Sequence, residues 1–211
     1  MRVITGSARG TKLATLEGDN TRPTTDRVKE AVFSMLQFDI EGRAVLDLFA
    51  GSGQLALEAL SRGAARATLI DQSRDAVNVI IENAKKTHLF DKCRISAADY
   101  MSFIRGASGR EKYDIIFLDP PYKTDLLPAA LKAIANADIC AVGAYIVCET
   151  ENDIPVKAKR LRKDEEFNNE CVLNDVFGGD NELAEKFTVL KSNLYSHTRI
   201  TLLTPKTVDA E

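Results

Sequence analysis

The chain has 211 residues, of which 45% are hydrophobic and 28% charged, and a formal net charge of −3. That size and composition predict one globular domain with a full core and a small appendage, and they exclude extensive disorder. The negative balance gives no global attraction to nucleic acid, so such a partner would have to be met by a local basic patch.

The first thirteen residues carry Arg2, Arg9 and Lys12 with no acid among them. "RVITGSARGTKL" reads as two short extended pieces around a glycine-containing turn, and "PTTDRVKEAVFSML" as a helix capped by Thr24 or Thr25. Residues 1–43 thus form a small N-terminal extension, a β-hairpin plus a helix. From about Ala44, short apolar runs alternate with helical patterns: "AVLDLF", "QLALEALSRG", "ATLID", "RDAVNVIIENAKK", "CRISAA", "YMSFIRG", "YDIIFLD", "LLPAALKAIANA" and "GAYIVCET". Strict alternation of strand and helix predicts an α/β fold with a parallel sheet covered on both faces. The spacing of Val77, Ile80, Ile81 and Ala84 predicts a helix packed by one side, and Gly63 a helix stop.

After about Asn152 the chain turns polar. "KAKRLRK", residues 157–163, holds five cations in seven positions, although one such run alone is as readily a solvated face. Residues 164–185, with "DEEFNNE" and "FGGDNE", predict a flexible excursion; "FTVLKSNL" and "SHTRITLLT" then return as closing, antiparallel strands. The domain runs over 44–205, and residues 206–211 form a frayed tail.

Cys93, Cys140, Cys148 and Cys171 make no C-x-x-C pair, and His88 and His197 are far apart, so no metal site is expected. Reduced thiols, no signal peptide before Arg2 and no apolar run near the roughly 18 residues of a membrane span predict a cytoplasmic protein without a membrane partner.

Two stretches carry chemistry. In "DLFAGSGQLALEAL", Gly51 and Gly53 bracket Ser52 at a strand-to-helix turn, where glycine admits a ligand to main-chain N–H groups. Asp71, twenty positions after Gly51, stands where a carboxylate accepts both hydroxyl protons of a ribose, or else caps a helix. This much also fits a nicotinamide dinucleotide. Asp47, inside the first strand, disfavours a pyrophosphate and suits a cofactor with a cationic amino-acid end, such as S-adenosylmethionine. Asp99 is placed to accept an adenine amino proton or to cap the helix "YMSFIRG". In "YDIIFLDPPY", Pro120 and Pro121 lack the N–H a strand needs. The strand must stop at Asp119, leaving an acid and Tyr122 on a stiff turn at its carboxyl end, where open α/β sheets bind ligands.

"GSARGTKL", "RPTTDRVKEAVFSML", "LDLFAGSGQLALEALSRGA", the acid of "LIDQS" and "DIIFLDPPY" together resemble the class I S-adenosylmethionine-dependent methyltransferases, and more closely the bacterial 16S ribosomal RNA guanine-N2 methyltransferases of the D type. The stretch from about 164 to 191 is longer and less similar. The resemblance implies a Rossmann-like, doubly wound, mostly parallel seven-stranded sheet with an antiparallel closing strand. It implies methylation of the exocyclic amine of one guanine, conventionally guanine 966, in the small subunit or its assembly intermediate. It places the cofactor on Asp47, Phe49, Gly51, Ser52, Gly53, Asp71, Gln72 and Asp99, and the target base on Asp119, Pro120, Pro121 and Tyr122. Candidate RNA contacts are Arg9, Lys12, Arg22, Thr24 and Arg27 of the extension, with the 157–163 run. Adenine-N6 methylation, a nicotinamide oxidoreductase and a non-catalytic RNA-binding protein of the same fold are the alternatives.

Overall fold

The computed structural model describes residues 1–16, 26–36, 38–122, 124–151, 169–195 and 197–206. After α1 (Asp26–Met35) the chain alternates β1 (Ala44–Asp47), α2 (Gln54–Ser61), β2 (Arg66–Asp71), α3 (Arg74–Lys86), β3 (Cys93–Ala97), α4 (Tyr100–Ala107), β4 (Tyr113–Leu118), α5 (Leu126–Asn136) and β5 (Cys140–Glu151). It then forms α6 (Asn169–Phe177), α7 (Asn181–Glu185), β6 (Phe187–Tyr195) and β7 (Thr198–Pro205). The seven-stranded sheet runs β3-β2-β1-β4-β5-β7-β6, with β7 antiparallel to both neighbours and the first five strands parallel. β1 pairs with β2 on one side and β4 on the other, so a crevice opens between its carboxyl end and that of β4.

The period-2 alternation of strand side chains splits the core into two layers. Val45, Ile115 and Phe117 face α1, α2 and α3, packing with Phe33, Leu57 and Ile80. Leu46, Ile116 and Leu118 face the other way, with Ile104, Leu131 and Val176. Along α3 the fully buried positions are Ala76, Ile80, Asn83 and Ala84, whereas Val77 and Ile81 are half-buried. The apolar spacing marked the correct side of the helix but not the amide within it.

The described part of the extension shares the first of these layers: Val3, Ala8 and Leu13 pack with Val28, Val32 and Phe33 of α1. Arg2 and Lys12 form an antiparallel bridge, and Lys29, fully buried on α1, donates to the Arg2 carbonyl. Buried Glu58 of α2 accepts from the Ile4 N–H at 2.7 Å and the Thr5 N–H at 3.0 Å. Ser61 Oγ accepts from the Ala8 N–H at 2.9 Å and donates to the Thr5 carbonyl at 2.6 Å. Gly6 sits at φ +88°, and a Cβ there would fall 1.8 Å from the Ser61 carbonyl oxygen. Gly6→Ala therefore destabilises the protein by about 1–3 kcal/mol. At roughly 2–4 °C per kcal/mol for this size, thermal denaturation will read the loss directly.

Within the region expected to be a flexible excursion, residues 169–185 instead form α6 and α7. Val172, Val176, Phe177 and Leu183 are buried in the second core layer, and Phe177 stacks on Phe187 with ring centroids 6.1 Å apart. Few apolar residues spaced among Asn and Asp hid these helices, because their stability comes from docking rather than from propensity. The 157–163 run and residues 207–211 lie outside the described residues. All four cysteines are free, and burial pushes the thiols of Cys93 and Cys140 up to about 12 and about 11. Among the described residues no acid, histidine and cysteine group could hold a metal, and no helix is long and apolar enough to cross a membrane.

Candidate functional site

β4 ends at Leu118, as the two prolines require. Asp119 and Tyr122 are half-buried, Pro120 is buried and Pro121 exposed. β5 runs beside this turn, with Phe117 opposite Val147 and Leu118 opposite Cys148, which brings Glu149 to the level of the turn. The Tyr122 hydroxyl donates to Glu149 Oε1 at 2.8 Å. Burial, then the Glu149 and Asp119 carboxylates, hold the phenol far above its ordinary range, so it remains a neutral donor.

The glycine loop leaves β1 beside the same turn, where the Leu48 N–H donates to the Phe117 carbonyl at 3.3 Å. Gly51 and Gly53 both have left-handed backbones, φ +54° and +77°, for different ends. A Cβ on Gly53 would press on Leu69 at 3.1 Å and Ile80 at 3.3 Å, so this glycine lets α2 approach the sheet. A Cβ on Gly51 would point into open space, so this residue leaves the loop face clear. Asp71, half-buried, accepts from the Gly51 N–H at 2.9 Å and the Ser73 N–H at 2.8 Å. Ser73, not Asp71, caps α3, accepting from the Ala76 N–H at 3.3 Å. Each Asp71 oxygen keeps acceptor capacity beyond its one backbone bond.

Gln72 is exposed beside it. Asp99 caps α4 through the Ser102 N–H at 2.9 Å. The rings of Phe49 and Tyr100 meet with centroids 5.2 Å apart, making an aromatic wall between the glycine loop and Asp99.

Asp47 is buried beneath the loop, and its Oδ1 has no hydrogen-bond partner among the described residues. Burial raises its carboxyl to about 7; the N–H groups of Phe49 and Ala56 oppose the shift and the Asp71 charge adds to it. A cationic ligand end would relieve this arrangement, and a pyrophosphate would add charge of the same sign. The residues present therefore fit a nucleoside that carries an ammonium.

Of the candidate RNA contacts, Arg9, Lys12 and Arg27 are exposed, whereas Arg22 and Thr24 lie outside the described residues. Sequence reasoning missed Tyr100, Glu149 and Asn83, the last of which donates to the Ser52 carbonyl at 2.9 Å. Tyr100 was legible as the neighbour of Asp99. Nothing local marks Glu149 or Asn83, because their partners lie 27 and 31 residues away in the chain.

The family described as Conserved hypothetical protein 95 matches residues 1–173. YlbH of Bacillus subtilis is 39% identical over 155 residues, covering 73% of this chain and 84% of its own. Ribosomal RNA small subunit methyltransferase D of Escherichia coli is 39% identical over 157 residues, covering 74% and 78%. The solved structure of YhhF from Escherichia coli superposes with a TM-score of 0.75 at 29% identity, covering 98% of both chains. The chain, with its glycine loop and DPPY turn side by side on a seven-stranded sheet, thus belongs to the Conserved hypothetical protein 95 family and is a methyltransferase related to ribosomal RNA small subunit methyltransferase D.

Proposed function

We propose that the chain methylates the exocyclic N2 amine of a guanine, conventionally guanine 966, in 16S ribosomal RNA of the small subunit. The observation that carries this reading is the placement of Asp119, Pro120, Pro121 and Tyr122 at the crevice where the Gly51–Gly53 loop leaves β1. Family membership supports ribosomal RNA as the substrate class. The N-terminal extension, with Arg9, Lys12, Arg22, Thr24 and Arg27, faces the RNA, and residues 44–205 carry the chemistry in the cytoplasm.

When bound, S-adenosylmethionine supplies an electrophilic methyl group. Asp71 holds the ribose hydroxyls, with Gln72 beside it; Asp99, Phe49 and the loop of Gly51, Ser52 and Gly53 border the nucleoside, and Asp47 complements the ammonium. The exocyclic amine is a poor nucleophile because its lone pair is delocalised into the ring. The Asp119 carboxylate and the Pro120 carbonyl accept its two N–H bonds, which frees the lone pair for attack and lets Asp119 take the proton that leaves. Pro120 and Pro121 keep both acceptors in place at small entropic cost.

Tyr122 stacks on a base withdrawn from its helix, and Glu149 holds the ring. Tyr122→Ala is expected to lose about 1–3 kcal/mol of RNA binding, roughly 5- to 150-fold in KM. Tyr122→Phe keeps the ring and loses only its tether, so steady-state kinetics should show a smaller rise in KM.

The decisive experiment is transfer of labelled methyl from S-adenosylmethionine to small ribosomal subunits lacking the modification, with naked 16S RNA, large subunits and DNA in parallel. Label recovered as N2-methylguanosine from small-subunit RNA is the expected result. Label as N6-methyladenosine, or label in DNA alone, overturns the substrate; no transfer anywhere favours a binding protein.

A further inference from the structure

Asn83 is an amide in the fully buried side of α3, at a position where helix packing alone calls for an apolar residue. Its Oδ1 accepts from the Ala14 N–H at 2.7 Å, and its Nδ2 donates to the Ala14 carbonyl at 3.0 Å and to the Ser52 carbonyl at 2.9 Å. One side chain therefore joins two separate parts of the surface. Ala14 directly follows buried Leu13 in the docked N-terminal segment that exposes Arg9 and Lys12. Ser52 lies between the two left-handed glycines of the cofactor loop. The same segment touches that loop again, where the Ser52 hydroxyl donates to Met1 Sδ at 3.4 Å.

We infer that Asn83 is a positioning residue that couples RNA bound on the N-terminal segment to cofactor bound on the glycine loop. The inference rests on the function proposed above. A buried amide gives up a partner only at the full desolvation cost of the group left behind. Any displacement of Ala14 is thus passed to Asn83 and on to the Ser52 carbonyl. Phosphates that fix Arg9 and Lys12 hold Ala14, and so hold the loop in the conformation that receives the cofactor. Coupling of this kind is reciprocal: the factor by which RNA tightens the cofactor equals the factor by which the cofactor tightens RNA.

The test is calorimetric titration of S-adenosylhomocysteine with and without a naked 16S RNA transcript, and of the transcript with and without S-adenosylhomocysteine. In the unaltered protein each ligand should tighten the other by the same factor, within the roughly 5- to 150-fold range usual for such coupling. Asn83→Ala should bring that factor to about one. If this core variant fails to fold, Ala14→Pro removes the N–H that Asn83 accepts while leaving the Ala14 carbonyl and the bond to Ser52 in place, and by breaking one of the two Asn83–Ala14 bonds it should lower the coupling factor without abolishing it. Variants that weaken each ligand but keep the coupling factor would give Asn83 a structural role only and overturn the inference. Independent binding in the unaltered protein overturns it too, while leaving the proposed function standing. Failure of S-adenosylhomocysteine to bind at all removes both.

Discussion

Asp119→Ala is expected to leave S-adenosylhomocysteine binding unchanged and to lower methyl transfer by about 10²- to 10³-fold, the usual loss when a preorganised group facing developing charge is removed. The separation of the two effects follows from the sheet. Asp71 and Gly51 bond to each other between β2 and the loop after β1, and neither depends on the turn after β4. Asp119 stands at that turn, where the prolines stop the strand. Removing its carboxylate takes away one acceptor for the amine and the base for its proton, while the Pro120 carbonyl remains. Asp119→Asn keeps the size and one acceptor oxygen but cannot take the proton, so it too should bind cofactor and turn over slowly. Single-turnover transfer to small subunits, with calorimetry of the same preparations, measures both halves. Near-normal turnover in either variant would move activation of the amine to another group.

Asp47→Asn should stabilise the free protein at alkaline pH and weaken its hold on the cofactor. Asp47 is raised from the ordinary aspartate value of 3.8 to about 7, with burial as the largest cause. It therefore binds its proton more tightly folded than unfolded. Its contribution to stability is fully present below about pH 4 and is lost as the pH rises through about 7; the whole loss is at most about 4 kcal/mol. The amide has no charge to bury, so the variant should lack this decline and melt several degrees higher at pH 8, at roughly 2–4 °C per kcal/mol. Melting curves at pH 5 and pH 8 distinguish the two proteins.

Binding responds in the opposite direction. The Asp47 carboxylate must be ionised to complement an ammonium, and burial raises its carboxyl to about 7. The affinity for S-adenosylhomocysteine should therefore rise as the pH passes upward through about 7, and Asp47→Asn should flatten that rise. A variant that binds as tightly as the unaltered protein, with the same pH profile, would show that Asp47 serves the fold and not the cofactor.

What the chain states locally was readable from its sequence. Continuous apolar runs such as "AVLDLF" and "YDIIFLD" alternate with helical spacing, so the parallel sheet followed from periodicity. Pro120 and Pro121 end a strand because they lack an N–H, and Gly51 and Gly53 mark a turn because only glycine adopts their backbone freely. Asp71 and Asp99 could be placed because strand ends come in a known order. The helices within residues 169–185 escaped, since Val172, Val176, Phe177 and Leu183 mean little until α5 and the sheet exist for them to cover.

Only the tertiary structure showed that Asp99 caps α4, that Ser73 rather than Asp71 caps α3, and that Asp71 braces the glycine loop. It alone joined Tyr122 to Glu149 and Asn83 to both Ala14 and Ser52. It also made the N-terminal segment part of the core through Glu58 and Ser61. The bonds of Tyr122, Asn83, Glu58 and Ser61 span 27 to 69 residues of chain, and a hydrogen bond over such a distance leaves no periodicity behind. Burial, which sets the charge state of Asp47, is likewise a property of what surrounds a residue and not of its neighbours in sequence.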